Sequence, residues 1–127
     1  MTPTKIDALV VDDNPDAAQS LALFLEADGY EVHTAFSGEE AVDALSRFQP
    51  LCVFLDFQMP GMDGLTLAQH IKQQFGEDVI LVAYTGMTES NARIAEVFNV
   101  VDHYFIKPIP HTEIRKIFPP RTSAEQT

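Results

Sequence analysis

With 127 residues, 46% of them hydrophobic and 21% charged, the chain carries enough apolar material for one domain around a single core. A net charge of −11 excludes nonspecific binding to nucleic acid or to an anionic membrane, because both require a basic surface. The single cysteine, Cys52, rules out an internal disulfide, and no apolar stretch is long enough for a signal peptide or a membrane span, so a reduced, cytoplasmic protein is expected.

The first strand-like run, "DALVV", ends in Asp12 and Asp13. A helix follows, with Asn14 as its cap, Pro15 in its first turn and Gly29 at its stop. "YEVHTA" alternates apolar and polar residues, the pattern of an edge strand. "SGEEAVDALSRF" opens on a capping box, Ser37 with Glu40, and sets Ala41, Ala44, Leu45 and Phe48 on one helical face. The third strand is "LCVFL", where Cys52 reads as a small buried hydrophobe rather than a nucleophile. It runs into Asp56, then into a turn at Pro60 and Gly61, with Asp63 placed to cap the next helix.

That helix is predicted from about Gly64 to Phe75, burying Leu67, Ala68 and Ile71 and stopping near Gly76. "DVILVAY" is the fourth strand, with Thr85 and Gly86 at its end. A fourth helix is expected over Thr88–Phe98, with Asn99 as a left-handed cap. "VVDHYFI" gives a fifth strand leading to Lys107 and Pro108, and "HTEIRKIF" a short last helix. Residues 1–118 form the domain, and residues 119–127, opening on Pro119 and Pro120, a polar tail expected to be flexible. The four histidines, His33, His70, His103 and His111, show no ligand spacing and read as solvated surface residues.

Five strands alternating with helices specify an α/β domain built on a parallel sheet. Right-handed crossovers restrict it to a few doubly wound orders, with the continuously apolar first, third and fourth strands in the centre. Ligands of such sheets bind beyond the carboxyl ends of the strands. Here those ends carry Asp12 and Asp13, Asp56, Thr85 and Gly86, and Lys107 and Pro108. Three carboxylates at one edge repel unless a cation sits among them, and an all-oxygen set suits magnesium. A lysine and a hydroxyl nearby could hold phosphoryl oxygens, so the set looks built for a phosphoryl group on or near a carboxylate. Asp12 and Asp13 alone read equally as an acidic turn before a helix; Asp56 and Lys107 favour the metal.

"VVDDNP", "LDFQMPGMDG", "AYTG" and "YFIKP", in that order, resemble the receiver domain of two-component response regulators, the CheY-like family. The resemblance covers roughly Ile6 to Phe118. It implies a flavodoxin-like fold of strand order 2-1-3-4-5 with helices on both faces. It makes Asp56 the phosphoacceptor and Asp12 and Asp13 the acidic pair for magnesium or manganese. Asp13, Asp56 and the Gln58 backbone carbonyl would be the direct metal ligands. Thr85 would be the switch hydroxyl, Lys107 the lysine that pairs with the phosphoryl group, and Tyr104 the aromatic that turns inward. Gly86 would leave the approach to Asp56 open, while Gln58 and Met87 would tune attack by water, the bulk of Met87 favouring slow loss. The Lys107–Pro108 bond would be cis.

The donor implied is a sensor histidine kinase or a histidine phosphotransfer protein. The domain would catalyse only its own phosphorylation and slow dephosphorylation, without binding nucleic acid directly or inserting into a membrane. Two departures stand out: Asn99 lies where many receivers have glycine, and the last helix is short, which bears on the usual partner face. No output-domain sequence follows Phe118, so the chain reads either as a free-standing regulator or as the receiver part of a hybrid kinase or longer regulator. Three rival classes fit these residues less well. A haloacid-dehalogenase phosphatase needs an Asp-x-Asp pair that "VDDNP" lacks. A flavodoxin needs a phosphate loop where "DDNPD" would repel phosphate. A degenerate receiver acting only as a binding module would not keep the whole site.

Overall fold

In the computed structural model, which describes residues 3–59, 64–86, 96 and 99–121, the apolar runs become five strands of one sheet. These are β1 (Thr4–Val11), β2 (Val32–Ala35), β3 (Phe48–Asp56), β4 (Ile80–Thr85) and β5 (His103–Ile106). Every pairing is parallel, and the order is β2-β1-β3-β4-β5, as the resemblance implies. Four helices are described: α1 (Pro15–Ala27), α2 (Gly38–Arg47), α3 (Gly64–Phe75) and a short α4 (His111–Ile117). The expected Thr88–Phe98 helix, the Pro60–Gly61 turn, the Asp63 cap, Met87 and residues 122–127 lie outside the described residues, Glu96 excepted.

Alternation along the central strands divides their side chains between two cores. Leu9, Val11, Val53, Leu55, Leu81 and Ala83 face α2 and α3 and meet Leu45, Leu67 and Ile71. Ala8, Val10, Cys52, Phe54, Val82 and Tyr84 face the other way and meet Ala18, Leu25, Ile114 and Phe118 of α1 and the C-terminal segment. Cys52 is fully buried, and burial pushes its thiol pKa well up, so it is an inert core residue.

The helix starts follow the sequence. Asn14 accepts from the Asp16 and Ala17 amides at 3.0 and 3.3 Å. Ser37 Oγ accepts from the Glu40 amide at 3.0 Å, and the Glu40 carboxylate reaches back to the Phe36 amide at 3.3 Å. Gly29 and Gly76, at the two predicted stops, have φ of 101° and 61°. Phe48 does not belong to the α2 face: it opens β3, which begins three residues before the apolar run because Phe48, Gln49 and Pro50 pair with β1. No described non-glycine residue has positive φ, which leaves the left-handed cap at Asn99 without support; its amide donates to the Glu96 carbonyl at 3.3 Å.

β5 is shorter than its apolar run because Asp102 substitutes a side chain for ladder. Its carboxylate accepts from the Leu81 amide at 2.8 Å, its own amide donates to the Leu81 carbonyl at 2.8 Å, and Lys72 holds it at 3.0 Å. The tail is also anchored further than expected. Beyond Phe118, the Tyr30 hydroxyl donates to the Pro119 carbonyl, and the Arg121 amide donates to the Asp28 carbonyl at 2.8 Å. The Arg121 guanidinium forks Asp7 at 3.0 and 2.9 Å and lies 4.2 Å from the Tyr30 ring centre. α4 therefore ends at a proline pair that straps the chain across the foot of β1 and the α1–β2 turn. His33 is half-buried, stacking on Phe48 at 4.2 Å between ring centres, whereas His111 is exposed as expected, with its ring 4.0 Å from that of Phe24.

α3 packs against the end of β3 with no room to spare at its first residue. A Cβ at Gly64 would lie 2.9 Å from Phe57 Cα, a backbone atom that cannot step aside. Gly64→Ala is therefore expected to lower unfolding stability by about 1–3 kcal/mol, the usual range for overpacking. Denaturant unfolding would show it as a lower midpoint with an unchanged slope. Among the described residues, no helix is long and apolar enough to cross a membrane.

Candidate functional site

Because the strands are parallel and in register, Val11 beside Leu55 and Asp56 beside Tyr84, their carboxyl ends open on one edge. β1 delivers Asp12 and Asp13 there, β3 delivers Asp56, β4 delivers Tyr84 and Thr85, and Lys107 follows β5. Asp12 and Asp56 are 0% and 1% exposed, so the two charges are desolvated, while Asp13 stands in solvent. Each buried carboxylate has a backbone donor two residues on: the Asn14 amide to Asp12 Oδ1 at 3.0 Å, and the Gln58 amide to Asp56 Oδ1 at 2.9 Å. Lys107 Nζ lies between them, 3.2 Å from Asp12 Oδ2 and 3.1 Å from Asp56 Oδ2.

Among the described residues one cation serves these two buried anions, which leaves the site short of positive charge. Burial, with the neighbouring Asp12 charge adding to it, raises the Asp56 carboxyl above the ordinary range, although the Gln58 amide and Lys107 pull the other way. Burial also works against the charge on Lys107, but its hydrogen bonds and attraction to Asp56 and Asp12 outweigh that and leave its pKa raised. Asp12, Asp13 and Asp56 can each turn one oxygen to lie within 4.8 Å of the others. An oxygen-only donor set with a partly solvated member fits a hard divalent cation that keeps waters, such as magnesium.

Other residues from the sequence reading gather here too. Thr85 is fully buried, and its carbonyl accepts from the Lys107 amide at 2.8 Å. The Lys107–Pro108 bond is cis. Gln58 meets Asp56 through its amide, and its side-chain oxygen accepts from the Gly86 amide at 3.1 Å, tying the β3 and β4 ends together. A Cβ at Gly86 would meet that side chain at 3.3 Å, so the glycine makes room for Gln58. Tyr104 is half-buried against the α2–α3 core with its hydroxyl oxygen buried.

The sequence reading missed Tyr84. Its hydroxyl donates to Asp12 Oδ2 at 3.0 Å, its residue is 4% exposed, and Lys107 Nζ lies 5.1 Å from its ring centre. Burial first, then the neighbouring Asp12, pushes the phenol pKa far up, so it stays a neutral donor. The signal was present: a tyrosine one residue before the end of an otherwise aliphatic central strand needs a partner for its hydroxyl.

The response regulator receiver domain model matches residues 8–118. Transcriptional regulatory protein SrrA of Staphylococcus aureus is 28% identical over 108 residues, which are 85% of this chain and 44% of SrrA, so the chain spans less than half the length of that curated relative. The receiver domain of a DNA-binding response regulator from Colwellia psychrerythraea superposes with a TM-score of 0.79 at 28% identity, covering 88% of this chain and 94% of that one. The response regulator TrrA of Thermotoga maritima, solved in complex with Mg(2+)-BeF, superposes at 0.75 with 29% identity, covering 90% and 95%. Fold, strand-end acidic cluster and family model agree: this chain belongs to the response regulator receiver domain family.

Proposed function

We propose that this domain takes a phosphoryl group onto Asp56 from a phosphohistidine of a sensor histidine kinase or phosphotransfer protein, and signals by changing shape. The observation that carries the proposal is the pair of buried carboxylates, Asp12 and Asp56, sharing one lysine beside an exposed Asp13. Desolvated charge of this kind is costly in a purely structural role and is a mark of functional sites.

Asp12, Asp13, Asp56 and the Gln58 carbonyl would hold magnesium or manganese, with Asp13, Asp56 and that carbonyl as direct ligands. The metal, when bound, would offset the carboxylates and the charge that develops during in-line transfer. Asp56 supplies the attacking oxygen, the donor imidazole leaves, and the product is an aspartyl phosphate. Lys107 would exchange its bond to Asp56 for one to a phosphoryl oxygen. Thr85, at the neighbouring strand end, would move its hydroxyl to the same group, and Tyr104, packed alongside β4, would turn inward. The domain would act in the cytoplasm and catalyse only its own phosphorylation and slow dephosphorylation. Gly86 and Gln58, with Met87, would govern access of water.

Intact-protein mass after incubation with acetyl phosphate tests this reading. One phosphoryl adduct that appears with magnesium and not with a chelator supports it; no adduct under either condition counts against it and favours a pure binding module.

A further inference from the structure

We propose that Tyr84 is a positioning residue for the acidic site, its hydroxyl holding Asp12 back from direct contact with a bound cation. This rests on the metal reading above and gives a role to Tyr84, which stands inside the "AYTG" motif with none assigned to it.

A carboxylate oxygen offers about two lone-pair directions. Asp12 Oδ2 already has two donors, the Tyr84 hydroxyl at 3.0 Å and Lys107 Nζ at 3.2 Å, and Oδ1 has the Asn14 amide at 3.0 Å. Lys107 is shared with Asp56 and sits on a side chain that is 30% exposed, so it can be drawn elsewhere. Tyr84 cannot. Its ring is locked in the core with Phe54, Val82 and Ile114, on the strand next to β3 and in register with Asp56. It is a rigid donor and, unlike the Asn14 amide, it is anchored on a different strand from Asp12.

The consequence has a sign. A charge-assisted hydrogen bond withdraws charge from Asp12 and fixes its direction. Without it, Oδ2 regains a free lone pair and a buried carboxylate loses compensation that a cation can replace. Tyr84→Phe keeps the ring and removes only the donor, so it is expected to bind magnesium about three- to tenfold more tightly.

The chain has three tyrosines and no tryptophan, so the near-ultraviolet tyrosine band can be followed directly. Magnesium should perturb that band in the wild type and in Tyr30→Phe, whose phenol lies at the far end of the sheet with Pro119. The perturbation should vanish in Tyr84→Phe. Calorimetric titration of the full chain with magnesium gives the affinities alongside. Tighter binding in Tyr84→Phe with loss of the spectral change supports the role. Equal or weaker binding in a folded Tyr84→Phe overturns it, as does a wild-type tyrosine band that magnesium leaves unmoved while calorimetry shows binding. If the wild type takes no magnesium at all, the metal reading itself has failed and this proposal falls with it.

Discussion

Asp56→Asn should make the metal-free protein more stable at pH 7, although it removes the residue on which the proposed function depends. Asp56 is 1% exposed, and burial holds its pKa above the ordinary carboxylate value. The folded protein therefore binds the proton more tightly than the unfolded chain does. For such a group, stability is fully present below the unfolded value, about 3.9, and is lost as pH rises through the raised folded value. At pH 7 the charge is a cost, and an amide of the same shape does not carry it. The gain is expected to be on the order of 1 kcal/mol, a few degrees in unfolding midpoint for a domain of this size. It should shrink toward zero as pH falls to the ordinary aspartate range, since the wild-type group is then protonated. Subtracting variant from wild type at each pH isolates Asp56 from the other carboxylates. A variant less stable than wild type at pH 7 would show that its bonds to Lys107 and the Gln58 amide outweigh its desolvation.

Lys107→Met should act in the opposite direction and more strongly. Lys107 is the one cation within hydrogen-bonding distance of both buried carboxylates among the described residues. Removing it leaves two desolvated charges facing each other, and breaking one side of a buried pair commonly costs about 3–5 kcal/mol. The lysine is partly solvated, so a loss of about 2–3 kcal/mol is expected here. If the acidic cluster is a metal site, magnesium should restore part of that loss. The rise in thermal midpoint on adding magnesium should then be larger in Lys107→Met than in the wild type, because the ion supplies charge the lysine no longer gives. Equal rises in the two proteins would argue that the lysine and the metal do not answer the same electrostatic deficit.

Much of this was legible beforehand, for physical reasons that also mark the limit. The buried strands showed as unbroken apolar runs, and Asn14, Ser37, Gly29 and Gly76 marked helix ends through their side chains or their tolerance of positive φ. The Asp12–Asp13–Asp56 cluster followed from topology, since parallel strands place their carboxyl ends together. Strand limits were less readable. Phe48 continued a helical period but pairs with Thr4 of β1, a partner that local periodicity does not reveal. Asp102 shortened β5 by a side-chain bond to Leu81 from a distant part of the chain. The strap from Pro119 to Arg121 was hidden for the same reason, because its partners Asp7, Asp28 and Tyr30 are about ninety or more residues away. Tyr84 was overlooked because in sequence it is only one more apolar residue of a strand; its hydroxyl gains meaning once β1 is placed two strands away.

Locating the phosphoryl group tests the central claim most directly. Protein treated with acetyl phosphate and magnesium would be reduced with borohydride, which converts an aspartyl phosphate to homoserine, and then mapped by peptide mass spectrometry. The account predicts homoserine at position 56 alone, with Asp12 and Asp13 unchanged. Homoserine at either of those positions, or at none in protein shown to bind magnesium, would contradict it.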